Sequence, residues 1–398
     1  MKSVLHMPTK ILAETRRTAI TPRLSEKVTG QRVAVVGAGK VQTFAPEDIS
    51  QVVELHKRVF PESSFSPEEL GIYFRRVFFE NPWYDAAIPS LVYRECGGRI
   101  LGFYGVMPRR MKMKERPIRV ALSSQFMVDP STPNRLAAVE LQRAFFAGPQ
   151  DLSFTDGAND ASRKIWEGMG GFTAFSYSMH WTRILRPYRY SLDRASQYGL
   201  PKPWHRLFQP LCAAGDLAAT RMRCSPFHQA GQAPEEDFGF ETILERLPSF
   251  FGRSQLCPEY DQSSLIWLLR EAAQKQCHGS LRKSLVRGNE GRVLGWYIYY
   301  LNSGGVSQVL QIVAARGSVH SVLDQLFHHA WRLGSFAVTG RMDPRFLAEW
   351  SGERCVFSLN GPWLLAHSRH ADVREAIQRG DAFLTRVEGE WWMRFHGG

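Results

Sequence analysis

Residues Val120 to Phe172 read VALSSQFMVDPSTPNRLAAVELQRAFFAGPQDLSFTDGANDASRKIWEGMGGF, and the order of elements in this stretch decides the fold. The first piece is a short apolar run ending at Asp129-Pro130, which suits a buried strand. Leu136, Val139, Phe145 and Phe146 then recur at helical spacing, and Gly148 ends that helix. Leu152-Ser153-Phe154-Thr155 is a second short strand. A second helix opens at Asn159 or Asp160, either of which can cap it, and stops at Gly170-Gly171. Strand, helix, strand, helix with short links predicts a parallel strand pair joined by a right-handed crossover.

This order resembles the acyl-CoA-binding heart of the GNAT (N-acetyltransferase-like) acyltransferase superfamily. Members end a strand in Val-x-Pro, and a basic, glycine-rich turn then opens a helix whose first N–H groups hold the coenzyme A pyrophosphate. Val128-Asp129-Pro130 matches that strand end. Pro133 stands where Arg or Gln is usual, Asn134 and Leu136 replace glycines, Arg135 keeps a basic position, and Ala138 takes a small-residue position. The family's Asn-x-x-Ala-x-x-Leu-Tyr is answered by Asn159, Ser162, Ile165 and Trp166, followed by Gly170-Gly171-Phe172. The tyrosine of that pattern protonates the leaving thiolate; an indole has no acidic hydroxyl, so Trp166 implies a different acid.

The resemblance implies a set of site residues. The strand around Gln125, Met127 and Val128 would offer backbone groups to the pantetheine arm and the oxyanion. The backbone of Arg135, Leu136, Ala137 and Ala138 would face the pyrophosphate, with Asn159 at the next helix start. A base would come from Asp129 or Asp156, which end adjacent parallel strands. Each suits a turn or helix cap equally well.

The chain has 398 residues, enough for about two domains, with 44% hydrophobic and 22% charged residues. Its formal charge of +12 favours anionic partners: nucleotides, coenzyme A, acidic polysaccharide, nucleic acid or an anionic membrane surface. Six scattered cysteines form no CxxC pair, and His367-x-x-His370 and His328-His329 lack a third ligand type nearby, so no metal is expected. No apolar run approaches the length of a membrane span, and the basic start lacks the features of a secretion signal, which predicts a cytoplasmic protein.

Residues 1 to about 30 read as a loose basic arm. Val33 to Gly39 (VAVVGAG) suggests a dinucleotide loop, but Gln42 takes the third glycine position and Pro46 follows, so an apolar lead-in is the better reading. Pro46 starts one helix. Ser66 caps a second, which carries the aromatic stripe Tyr73, Phe74, Phe78, Phe79, Trp83 and Tyr84. The run RRMKMKERPIR from Arg109 reads as a solvated hairpin tip or a contact for phosphate. Ala174 to Trp181 is predicted as a continuing strand, and Tyr177 and His180 are ionisable groups within it. Residues 186 to about 235 mix arginine, aromatics and proline, as a connector or a short amphipathic docking helix would.

Gly98-Arg99-Ile100-Leu101-Gly102-Phe103-Tyr104 returns as Gly291-Arg292-Val293-Leu294-Gly295-Trp296-Tyr297, and the surrounding element order returns with it. The expected fold is therefore α/β (α+β): two tandem GNAT-like folds, each a mixed, centrally splayed sheet flanked by helices. The divisions are an arm and lead-in (1–40), a first fold (41–186), a connector (187–235) and a second, diverged fold (236–398). Fem-type aminoacyl transferases of peptidoglycan synthesis have a similar plan. The resemblance implies transfer of an acyl group from acetyl-CoA or another acyl-CoA to a small-molecule amine or hydroxyl, such as a saccharide or cell-envelope precursor. A catalytically inactive GNAT-shaped binding or scaffold protein is the alternative, favoured by Pro133, Leu136 and Trp166. The positive charge leaves open a third, an aminoacyl transferase using charged tRNA.

Overall fold

The computed structural model describes residues 39–131, 136–222, 225, 227, 236–251, 256–288 and 291–393. The basic arm, most of the VAVVGAG run, Pro133, Asn134 and Arg135 lie outside the described residues.

The first half begins with β1 (Lys40–Thr43), α1 (Ile49–Val59) and α2 (Pro67–Phe78). Ser66 caps α2 as expected, with its hydroxyl accepting from Glu69 N and the Glu69 carboxylate accepting from Ser66 N. A cap of this kind contributes about 1 kcal/mol. The antiparallel strands β2 (Leu91–Arg94), β3 (Ile100–Met113) and β4 (Arg116–Val128) follow. The predicted strand–helix–strand–helix run is completed by α3 (Leu136–Phe146), β5 (Leu152–Ala158) and α4 (Asp160–Gly168).

The predicted strand over Ala174 to Trp181 is different. Two residues of β6 (Phe172–Thr173) lead into one helical turn, α5 (Phe175–Ser178), and only then comes β7 (His180–Ile184). The Ser178 hydroxyl donates to Ala174 O, and the Tyr177 hydroxyl exchanges hydrogen bonds with the backbone of Ala382. A distant partner and a local back-bond therefore outweigh the strand propensity of this run. The proline-rich connector folds as two helices, α6 (Pro187–Gln197) and α7 (Lys202–Arg221).

The second half repeats the plan: α8 (Phe240–Phe250), β8 (Leu256–Pro258), α9 (Gln262–Ala273), β9 (Ser280–Arg287), β10 (Val293–Leu301), β11 (Val306–Ala314), α10 (Val319–Arg332) and β12 (Ala337–Arg341). It closes with α11 (Leu347–Trp350), β13 (Val356–Ser358), β14 (Trp363–His367) and α12 (Ala371–Arg379).

Two mixed sheets result, both flanked by helices. One runs β1-β2-β3-β4-β5-β14-β6, with β8 added beside β3; the other runs β13-β7-β12-β11-β10-β9. The halves exchange strands. β14, from the end of the chain, lies antiparallel between β5 and β6. β7, from the first half, lies antiparallel between β12 and β13.

One face of the first sheet, with α1 and α2, shares a continuous core with α8, α9, residues 382–393 and one face of the second sheet. The opposite face of the first sheet packs on α3 and α4 through Tyr104, Leu141, Phe145 and Trp166. The outer face of the second sheet packs on α10.

Candidate functional site

Each sheet parts at its centre. In the first, β4 and β5 pair in parallel over three positions, Val120 with Leu152 through Leu122 with Phe154. β5 then pairs with β14 on its other edge, while β4 stays with β3 as far as Val128. Past Leu122 the two strands have no common pairing, so an open V forms between Ser123–Val128 and Thr155–Ala158. In the second sheet, β11 and β12 pair from Val306 with Ala337 to Gln308 with Thr339 and then part.

The first V carries a bulge on β4. Phe103 faces Met127 and Gly105 faces Ser124, so Gln125 and Phe126 oppose Tyr104 alone. Gln125 adopts φ 52°, a conformation that turns successive peptide groups out of the ladder. Gly105 allows the close approach, since a Cβ there would lie 2.5 Å from Ser124 O and 2.7 Å from the Phe78 ring. Along this V three buried polar atoms have no hydrogen-bond partner among the described residues: Ser124 Oγ, Gln125 Oε1 and Gln142 Nε2. Gln125 bonds Tyr73 on the α2 side and Gln142 bonds Tyr104 on the α3 side, so the three atoms flank the V from its two faces. Buried polar groups are nearly always satisfied, and the pair on the bulged strand marks a place suited to a polar ligand.

Tyr104 was not legible as a site residue. Its hydroxyl donates to Gln142 Oε1 at 3.0 Å, and its ring stacks on Phe145. Burial pushes its pKa up, Glu390 adds to the rise, and the bond to Gln142 with the nearby Ser123 and Trp166 polar groups only partly opposes it. It therefore stays a phenol and remains a proton donor. Trp166 itself is buried against Phe145 and Phe146.

The residues expected from the sequence are scattered in role. Leu136 does not plug the V: it is 43% exposed, whereas Ala137 is buried beneath α3. Met127 is buried in the shared core, and Val128 packs at the edge of the α3 face. Asn159 caps α4, with its side chain accepting from Ser162 N at 2.9 Å. Arg135 lies outside the described residues.

Asp129 is buried and saturated. Its carboxylate meets Arg58 Nε at 2.7 Å and Arg99 Nη2 at 3.0 Å, and it accepts from the Ser131 amide and hydroxyl. Burial alone would raise its pKa, but the bonds from Ser131 and Arg58 outweigh burial and hold it below the usual range. Asp156 is equally occupied: it pairs with Arg341 Nη1 at 3.0 Å and accepts backbone N–H groups from Glu390 and Trp391 at 2.7 and 2.9 Å. A Cβ on Gly389 would collide with this carboxylate. Both aspartates are positioned as clamps.

The donor of those two N–H groups is a C-terminal strap, residues 381–393, which crosses both clefts. At the second cleft Arg386 N donates to Leu310 O at 3.0 Å, and the Arg386 guanidinium donates to Gln308 Oε1 at 3.1 Å. The strap residues Leu384 to Arg386 narrow this cleft to a cavity of about 30 Å3. At the first cleft the strap places Glu390 beside the V, where the Thr155 hydroxyl donates to Glu390 Oε1 at 2.6 Å. It then ends against α2: Tyr73 OH donates to Met393 O at 3.1 Å and accepts from Gln125 Nε2 at 3.2 Å. His278 stacks on Trp391 at 4.6 Å, and burial lowers its pKa to about 4. Lys275 stands over the Tyr73 ring at 5.2 Å, with its pKa lowered by burial to about 8.

The basic run from Arg109 forms the β3–β4 hairpin, whose tip at Lys114 to Pro117 is exposed as the sequence suggested, but its first arginine is not solvated. Arg109 is buried, with its guanidinium 4.9 Å from the Trp83 ring and 5.9 Å from the Trp267 ring. Lys112, Arg116 and Arg119 pair with Glu259, Asp372 and Asp85. A second group of arginines gathers beside the start of α10. There a cavity of about 880 Å3 is lined by Arg246, Arg287, Arg292, Arg316 and Arg345. Arg246, Arg287 and Arg345 are paired with Glu245, Glu236 and Asp343, and Glu349 and Asp381 also line the cavity.

Solved structures share this architecture. A conserved protein of Enterococcus faecalis V583, described as a probable N-acyltransferase, superposes with a TM-score of 0.54 at 10% identity, over 83% of this chain and 72% of that one. A GCN5-related N-acetyltransferase from Kribbella flavida gives 0.52 at 12% identity, over 84% and 72%. The fold is that of GCN5-related N-acetyltransferases. No family model matches the chain, and no curated protein matches it in sequence. Among the described residues no cluster of His, Cys, Asp and Glu could hold a metal, and no helix is long and apolar enough to cross a membrane.

Proposed function

We propose that the protein is an acyltransferase whose donor, an acyl-CoA thioester such as acetyl-CoA, lies in the V between β4 and β5, and whose acceptor is a small-molecule amine or hydroxyl. The observation that carries this reading is the crevice itself. The edge of β4 from Ser123 to Val128 that faces β5 has no strand paired to it, and Ser124 Oγ and Gln125 Oε1 on that stretch are buried without a hydrogen-bond partner among the described residues. An extended arm with amide groups is the chemistry that satisfies such an edge. The second cleft is the weaker donor site, because Arg386 already occupies its strand edge.

Glu390 is the proposed base in place of Asp129 and Asp156, whose oxygens are committed to guanidinium and N–H donors. It takes the proton as the acceptor nitrogen or oxygen attacks the thioester carbonyl. The backbone N–H groups of the Gln125–Phe126 bulge face the oxyanion. The C–S bond then breaks, and the Tyr104 hydroxyl gives its proton to the departing thiolate, in the role that Trp166 cannot fill.

The test is thermal unfolding with acetyl-CoA, together with release of free thiol in the presence of an amine panel. At a hundredfold excess over Kd the ligand stabilises the fold by about 3 kcal/mol, a rise of roughly 3 °C for a chain of this length. Gln142→Leu should reduce that shift. Absence of any shift at saturating acetyl-CoA would refute the donor site. It would leave the binding-protein reading, which the strap seated across both clefts favours.

A further inference from the structure

The hairpin of α6 and α7 carries a feature that the transferase reading does not use. The C-terminal half of α7 is docked on α6. Gly215 packs on the Tyr188 ring, and buried Asp216 accepts from the backbone N–H groups of Tyr188 and Arg189 while pairing with the Arg189 side chain at 2.8 Å. The N-terminal half projects an apolar stripe into solvent. Trp204, Leu207, Phe208 and Leu211 follow i, i+3, i+4, i+7 spacing and so share one face. They are 52%, 61%, 39% and 69% exposed, and Tyr198, in the turn before them, is 80% exposed. Trp204 and Phe208 already stack on each other at 5.9 Å. Single exposed apolar residues are ordinary, but a contiguous stripe of large ones marks an interaction surface.

The charges around the stripe select its partner. Between Arg186 and Met222 there are six Arg and Lys residues and two Asp. One of the aspartates, Asp216, is buried and spent on Arg189; the other, Asp193, accepts from Gln197. Arg194 bonds only neutral groups, Gln197 and Tyr198, and Arg206 beside Leu207 has no carboxylate partner among the described residues. The rim is cationic. A second copy of the chain would bring like charges together at this face. An anionic lipid surface matches both parts: large apolar side chains with Trp and Tyr for the headgroup boundary, and arginines for the phosphates.

We propose that the α6–α7 hairpin seats the protein on an anionic membrane surface, with Trp204, Leu207, Phe208 and Leu211 entering the headgroup–acyl boundary and Arg194 and Arg206 contacting lipid phosphates. The test is co-sedimentation of the full chain with phosphatidylcholine vesicles, with and without phosphatidylglycerol. The wild type should bind the anionic vesicles about tenfold more tightly, and added salt should weaken binding. L207E/L211E, at exposed helical positions, should abolish binding without moving Tm. R194Q/R206Q should erase the preference for anionic lipid at the same Tm. Wild-type protein left in the supernatant with both vesicles overturns the proposal. So does equal binding by wild type and L207E/L211E, which would place the contact elsewhere on the basic surface. A lipid-free dimer in sedimentation velocity that L207E/L211E dissolves would give the stripe to a second copy and overturn it as well.

Discussion

Replacing Asp156 with asparagine separates a clamp from a catalytic base. The carboxylate and the Arg341 guanidinium are both buried and 3.0 Å apart. Arg386 is buried nearby, and its pKa is lowered to about 9, first by burial and then by the Arg341 charge, with Asp156 acting in the opposite direction. One carboxylate therefore serves two buried guanidiniums. An Asn side chain can still accept the N–H groups of Glu390 and Trp391, but it leaves both cations without a counter-charge. Breaking a buried pair by removing one partner costs about 3–5 kcal/mol. The second guanidinium places Asp156→Asn toward the upper end, about 4 kcal/mol, or roughly 5 °C in Tm for a chain of this length. Denaturant and thermal unfolding would measure the loss, with turnover normalised to folded protein. Asp156→Asn combined with Arg341→Met should recover part of the stability, because it removes the uncompensated guanidinium while the amide oxygen still accepts the Glu390 and Trp391 N–H groups. An unchanged Tm with turnover abolished would refute the clamp and return Asp156 to the role of base. A double variant no more stable than the single one would refute the pairing argument.

Other outcomes follow from the same geometry. Tyr104→Phe keeps the stack on Phe145 and should lower kcat more than it raises KM, by about 10²-fold for loss of a general acid; an acceptor with unaltered kcat excludes Tyr104. Gly105→Ala must displace Ser124 O or the Phe78 ring, so it should cost about 2–3 kcal/mol and weaken the acetyl-CoA shift, whereas Glu390→Gln should keep that shift and lose turnover. Burial lowers the pKa of His56 to about 4 and of His180 to about 3. Both imidazoles are neutral in the fold and protonate at about 6.5 when unfolded, so the unfolded state binds more protons below that pH. Stability should fall as pH drops through this window, by about 2 kcal/mol per histidine between pH 7 and pH 5. Denaturant midpoints across that range check the sign, and a flat profile rejects it.

The legible parts of the molecule were those whose signals are local. The crossover around residues 120–172 could be read because hydrophobic period, caps and glycines all sit within one turn of the elements they shape. The Gly-Arg-x-Leu-Gly-x-Tyr echo betrayed the second sheet for the same reason, since Gly102 and Gly295 each begin the run that pairs with a parting strand. The roles of Asp129 and Asp156 were not legible. Their partners Arg58, Arg99, Arg341, Glu390 and Trp391 lie far along the chain, and a carboxylate at a strand end looks alike whether it clamps or reacts. The aromatic and acidic closing stretch GDAFLTRVEGEWW reads as a packed strand or tail, but nothing local says which of its acids meets Thr155 across the fold, so Glu390 was not singled out.

By itself the sequence determined that two open, splayed sheets would form, since strand runs, helix faces and turns are written in neighbouring residues. Only the tertiary structure decided that β7 and β14 change places between those sheets, because short apolar strands such as HWTRI and WLLAH can pair with any exposed edge of matching face. It also decided that the strap closes one cleft with Arg386 and leaves the edge of the other unpaired. That difference arises from which side chains long-range packing brings to each gap, and no local pattern encodes it.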